Sequence, residues 1–121
     1  MLVSSKGLPS KIIESGNNSN GEWVKFENGT MICTKTINAN LTANSPWGAF
    51  FESEGVNLGV SPQVFVDTPK LFLNPSGRYC IIEAPQGTTT SNFGSTWIAR
   101  PVKDTTVQLY TINILAIGWW K

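Results

Sequence analysis

The chain has 121 residues, of which 9 are basic and 8 acidic, so its formal net charge is +1; charged residues make up only 14% against 40% hydrophobic. That length fits a single domain, and a near-neutral chain with no Lys/Arg run lacks the electrostatic footprint of a nucleic-acid binder. With no histidine at all, His-based catalytic triads, His-containing zinc sites and histidine pH switches are excluded.

The chain opens with a short apolar pair, Ile12-Ile13, and then a Gly/Asn/Ser cluster with the composition of a linker. Residues 1–21 are therefore expected to form a lead-in stub, and 22–121 the folded domain. From Trp23 the pattern turns to β: WVKF, the turn Glu27-Asn28-Gly29, then TMICTKTIN, where Asn-Gly between two β-prone runs marks a hairpin. Residues 38–62 contain Pro46, Pro62 and the aromatic group Trp47, Phe50 and Phe51. They read as a long connection with short extended pieces. QVFVD (63–67), KLFLN (70–74), the turn Asn74-Pro75-Ser76-Gly77 and RYCIIEA (78–84) predict further strands. A polar loop through Gln86, Thr88, Thr89, Thr90 and Asn92 precedes FGSTWIAR, a turn at 101–104 and the run TTVQLYTINILAIGWW. No helical periodicity is sustained anywhere. The expected fold is all-β, an antiparallel β-sandwich.

The last run is the most informative. As a strand, one face shows Val107, Leu109, Thr111, Asn113, Leu115, Ile117 and Trp119, and the other Gln108, Tyr110, Ile112, Ile114, Ala116, Gly118 and Trp120. Both faces are apolar towards the C-terminus. A two-layer sandwich leaves one strand face wet, so the pattern predicts either a deeply buried strand or coverage by another subunit.

Cys33 and Cys80 have no CxxC spacing and read first as buried thiols acting as small hydrophobes, with a disulfide or a reactive thiol as alternatives. The sequons at Asn17, Asn28 and Asn40 read as chance in an Asn/Thr-rich chain. No stretch approaches the roughly 18 apolar residues of a membrane span, and the opening residues lack the apolar core of a signal peptide. The expectation is a soluble chain with no membrane insertion, metal, cofactor or nucleic-acid partner.

Two blocks resemble a known family. Ser15-Gly16, Asn18 to Gly21, Phe26, Asn28-Gly29-Thr30 and Ile32-Cys33 at one end, and Ala116, Gly118, Trp120 and Lys121 at the other, are similar to the C-terminal tip domain of bacteriophage tail fibres, found also in prophage and pyocin-like fibres. The likeness brackets residues 14–121, with the specific motifs at the two ends. Trp119 stands where the family usually has Arg, which removes any role of a guanidinium there and adds apolar surface. The resemblance implies a homotrimeric β-sandwich at the distal end of a fibre, assembled in the bacterial host cytoplasm and deployed on the virion. It also implies a fibrous shaft before residue 14, so that Met1 begins a fragment, with a genuine start as the alternative. The trimer interface is expected at Ile112, Ile114, Leu115, Ile117 and Trp119.

Catalysis is not expected. The carboxylates sit singly among polar residues, and Glu52-x-Glu54 reads as a solvated edge; the separation that glycoside hydrolysis demands is not a property of sequence. Carbohydrate binding combines aromatic platforms with hydrogen-bonding side chains, because sugars present apolar ring faces and directional hydroxyls together. The receptor-contact candidates are the aromatic group Trp47, Phe50 and Phe51, the polar loop Gln86, Thr88, Thr89, Thr90 and Asn92, and the turn at Lys103 and Asp104. Trp23, Trp97 and Trp120 are expected to pack within strands. The function so implied is attachment to a host surface glycan such as lipopolysaccharide or capsule; the alternative is a module that trimerises and caps the fibre without touching the receptor.

Overall fold

The computed structural model describes residues 10–121; most of the expected lead-in stub, residues 1–9, lies outside them. All strand pairings among the described residues are antiparallel, and none of these residues is helical. The strands are β1 (Ile12–Asn18), β2 (Gly21–Phe26), β3 (Thr30–Ala43), β4 (Ser45–Trp47), β5 (Phe50–Glu52), β6 (Val56–Asn57), β7 (Lys70–Ser76), β8 (Ile81–Ile82), β9 (Ser95–Thr96), β10 (Ile98–Arg100) and β11 (Asp104–Trp119). One layer is a five-stranded sheet, ordered β1-β2-β3-β11-β7. The other holds a four-stranded sheet, β4-β5-β10-β8, and the ribbon β6-β9.

The long pair β3 and β11 forms the spine, in register from Gln108↔Leu41 to Trp119↔Thr30. Alternation along both strands decides what lies inside. Met31, Cys33, Leu41, Tyr110, Ile112, Ile114 and Ala116 face inward and are buried, meeting Ile98, Val56, Leu58, Phe65 and Phe93 from the opposite layer. Burial of these side chains, at about 25 cal/mol per Å² of apolar surface, holds the layers together. Trp23 and Trp120 pack against this core from its margin.

The two sequence blocks that carry the family resemblance meet in space. Cys33 pairs with Ala116, Ile32 with Ile117 and Met31 with Gly118. Beyond them the Trp120 backbone N–H donates to Gly29 O at 2.8 Å, and its indole Nε1 donates to Phe26 O at 2.8 Å. Gly29, at φ 98°, closes the predicted Asn-Gly turn and lets the C-terminal residues cross it closely. A Cβ there would sit 3.2 Å from Lys121 O and from the Trp119 ring. Gly118 serves the same end: a Cβ would lie 2.8 Å from the Phe65 ring that plugs the core.

Four expectations change, the first being that residues 38–43, expected to begin the long connection, continue β3 to Ala43. Ile12–Asn18, expected within the stub, is a strand paired with β2, Ser15 opposite Val24 and Asn17 opposite Glu22. QVFVD is not a strand: Phe65 is buried while Val64 and Val66 are exposed at 65% and 53%. Its bonds go singly to Thr90 O and Trp119 O, because alternation without a partner edge makes no ladder. RYCIIEA shrinks to Ile81–Ile82, since Gly77 at φ 90° bends the chain away after β7. β7 itself continues through Pro75, which its edge position tolerates.

Candidate functional site

The β4–β5 hairpin turns through Gly48 and Ala49, with Trp47 opposite Phe50. Gly48 at φ 60° supplies the first central position of such a two-residue turn. The Trp47 and Phe50 rings lie 6.5 Å apart at 47°, and Trp47 is half exposed. Phe51 pairs with Arg100 and Glu52 with Ala99. Strand alternation therefore puts Phe51 on the face directed to the core with Ile98, and Phe50 and Glu52 on the outward face with Ile81. Of the predicted aromatic trio, two members face outward and one inward.

Next to Phe50 the chain forms an open cleft of about 460 Å³, lined by Phe50, Pro75, Arg78, Tyr79, Cys80, Ile81 and Pro101. It lies where the β4–β5 hairpin, the β7–β8 loop and the β10–β11 loop converge. Tyr79 is 94% exposed. Arg78 is held in place: its Nε donates to Leu109 O at 3.0 Å and its Nη2 to Gln108 Oε1 at 2.6 Å. Its guanidinium carbon lies 5.9 Å from the centre of the buried Tyr110 ring. The Cys80 thiol is free and half-buried, and burial raises its pKa while the Arg100 charge pulls it back. Cys33, fully enclosed, is pushed up to about 11 by burial.

Arg78, Tyr79 and Ile81 were missed in the sequence because they sit in a run with strand composition. The available signal was Gly77 directly before an Arg-Tyr pair, since an aromatic just after a turn has no sheet partner to cover it.

Further along the same outward face, Glu52 and Glu83 flank β10. Glu52 is opposite Ala99, and Glu83 donates its backbone N–H to Trp97 O. Burial first, and the Glu52 carboxyl second, push the Glu83 pKa up to about 7, and Glu83 Oε2 is buried with no hydrogen-bond partner among the described residues. Glu54 turns elsewhere, accepting from the Thr42 N–H and hydroxyl.

The predicted polar loop is used by its own fold. Thr89 Oγ1 accepts from Asn92 N–H, Thr88 Oγ1 donates to Phe93 O, and Asn92 Oδ1 accepts from Gly94 N–H. Thr90 O holds Phe65 N–H, and Gln86 pairs with Ser95 through its backbone. This loop lies beyond the Ile98 end of β10, whereas the aromatic hairpin flanks the Arg100 end, so the two candidates do not form one site. Asp104 is taken by an ion pair with Arg100 at 3.3 Å, while Lys103 is exposed on the adjoining loop.

The expected interface residues divide. Ile112 and Ile114, at 0% and 3% exposure, belong to the core of the single chain, because register places them on the inner face. Leu115, Ile117 and Trp119 face outward from the five-stranded sheet, with Leu115 opposite Phe72 of β7 and Thr34 of β3. Leu115, Trp119 and Phe72 are 36%, 43% and 54% exposed. Along the same face runs a polar ladder: Thr36 donates to Asn113 Oδ1 at 3.1 Å and Thr111 to Asn38 Oδ1 at 2.7 Å.

No protein-family model and no curated protein matches the sequence. Among solved structures, the fold resembles an R1 pyocin fibre of P. aeruginosa comprising C-terminal residues 323–701, with a TM-score of 0.53 and 14% identity over 88% of this chain. The chain spans 28% of the length of that structure. An N-truncated R1-type pyocin tail fibre is similar at a TM-score of 0.53 and 12% identity, covering 88% of this chain and 87% of the other. The likeness to fibre C-terminal domains read from the sequence is thus borne out in the fold: an all-β antiparallel architecture shared with pyocin tail fibres.

Proposed function

We propose that this chain is the distal, receptor-binding domain of a tail fibre of a phage or phage-like particle, acting as a homotrimer on the virion after assembly in the host cytoplasm. It contacts a bacterial surface glycan through the hairpin end of the four-stranded sheet. The observation that carries this reading is the aromatic surface at that end, the exposed Tyr79 and the half-buried Phe50 lining an open cleft with the exposed Trp47 beside Phe50 at the hairpin tip, on a fold shared with pyocin fibres. The trimer is assigned to the outer face of the five-stranded sheet, where Leu115, Phe72 and Trp119 leave apolar surface beside the Asn/Thr ladder. Three weak sites on one rigid head act together, so each needs only millimolar affinity.

A second reading, a module that registers three chains and caps the fibre without touching receptor, is favoured by the same sheet face. Two measurements separate them. Light scattering after size exclusion is expected to give three times 13.2 kDa, and intact trimer is expected to adsorb to host envelopes. A trimer that adsorbs to no host envelope would leave the capping role; a monomer at all concentrations would remove both.

A further inference from the structure

Arg78 combines three properties seldom found together. It is fixed by two hydrogen bonds to Leu109 O and Gln108; it lies in the wall of a cleft; and among the described residues it has no carboxylate partner, the two ion pairs there being Lys25–Glu14 and Arg100–Asp104. Its Nη1 makes no hydrogen bond among the described residues, so donors of the planar fork remain for a ligand. A guanidinium already held in one geometry loses little freedom on binding a carboxylate. Among the described residues no acidic side chain lines the cleft, the nearest carboxyls on that face, Glu52 and Glu83, being two residues beyond Phe50 and Ile81, and Lys103 is exposed on the loop that begins at Pro101, so an anion would be drawn by Arg78 itself.

Beside Arg78, Tyr79 lies almost wholly exposed to water, although rings of this size normally find cover. An apolar ring face next to a forked cation matches a sugar that has an apolar face and an acid group. A volume of about 460 Å³ falls within the range of small-ligand clefts.

We propose that this cleft is a subsite for an acidic sugar, a pyranose whose apolar face lies on Tyr79 and whose carboxylate is taken by Arg78. The inference rests on the glycan-receptor reading and narrows it to hexuronic-acid-type residues. The full chain is titrated with bacterial-type oligosaccharides containing hexuronic acid and with the same oligosaccharides after carboxyl reduction. Reduction is expected to weaken binding about tenfold, the usual worth of a charge-assisted pair. Arg78→Ala is expected to lower affinity for the acid form by about as much and to leave the reduced form unaffected. Tyr79→Ala is expected to weaken both forms, and Tyr79→Phe neither. Cys80, on the cleft wall, supplies a second readout, since its alkylation is expected to slow when the acid form is bound.

Equal binding of acid and reduced forms, unchanged by Arg78→Ala, overturns the subsite and leaves the glycan-receptor reading standing. Adsorption to host cells with no binding to any oligosaccharide overturns both. Protection of Cys80 that grows with protein concentration in the absence of sugar overturns the subsite in favour of a second copy of the chain as occupant.

Discussion

The two outward faces of the sandwich differ in kind. The five-stranded face is built on strands of 14 and 16 residues in nearly unbroken register, with side chains spaced as a regular array. The four-stranded face is built on strands of two and three residues, and its surface is made by turns that leave a cleft with unpartnered groups. A long regular face suits repeated contact with an identical copy, because every row finds an equivalent row. Short strands joined by turns suit recognition, because convergent loops bring together a Tyr ring, a fixed Arg and the half-buried Phe50 that no single strand could.

The largest effect that tests this contrast lies along β11 itself. Ile112→Ala is expected to destabilise the chain by about 2–5 kcal/mol through a core cavity, read as a lower denaturant midpoint at every protein concentration. Leu115→Asp combined with Phe72→Asp leaves that core intact. It is expected to convert trimer to monomer in light scattering and to abolish the concentration dependence of the melting temperature. If both variants lose oligomer and stability alike, the division of β11 into an inner and an outer face is wrong.

On the opposite face, the Glu83 carboxyl is held protonated more strongly in the fold than in the unfolded chain, its pKa being raised from 4.5 to about 7. A raised carboxyl binds more protons when folded, so stability is complete below about pH 4.5 and falls as pH rises towards 7. Glu14 and Glu54 act in the opposite sense. Hydrogen bonds from Trp23 and Lys25 lower the first; for the second, backbone N–H groups, its own before that of Thr42, outweigh burial. Their support is lost below the ordinary carboxylate range. Stability is therefore expected to peak near pH 5, and Glu83→Gln to flatten the fall between pH 5 and 7.5. After allowance for solvent screening that fall is about 1–2 kcal/mol, measurable by thermal melts across pH. The smallest stability change is expected for Trp47→Ala at the hairpin tip, within about 1 kcal/mol because the ring is half exposed. Host adsorption is expected to drop by about tenfold; unchanged adsorption in folded trimer would remove the hairpin from the receptor surface.

Much of the spine was legible. Asn28-Gly29 between two β-prone runs does form the β2–β3 turn, and the two faces of the last run fall as alternation requires. What alternation could not say is which face is inward, so Ile112 and Ile114 were grouped with Leu115 although they point the opposite way. The polar loop at 86–92 had a composition suited to sugar hydroxyls, yet its Thr88, Thr89 and Asn92 side chains satisfy nearby backbone, as such residues do in turns. Arg78 and Tyr79 read as strand because composition alone does not reveal that Gly77 bends the chain before them.

By itself, the sequence determined the all-β class and the hairpin at Asn28-Gly29, because these follow from local propensity and a period of two residues. Only the tertiary structure decided which side of β11 is core, that the two end motifs pair, that the Glu52 and Glu83 carboxyls meet, and that Phe50, Arg78, Tyr79 and Pro101 border one cleft. These are contacts between residues far apart in the chain, and their distances are set by register and layer packing, which no local pattern encodes.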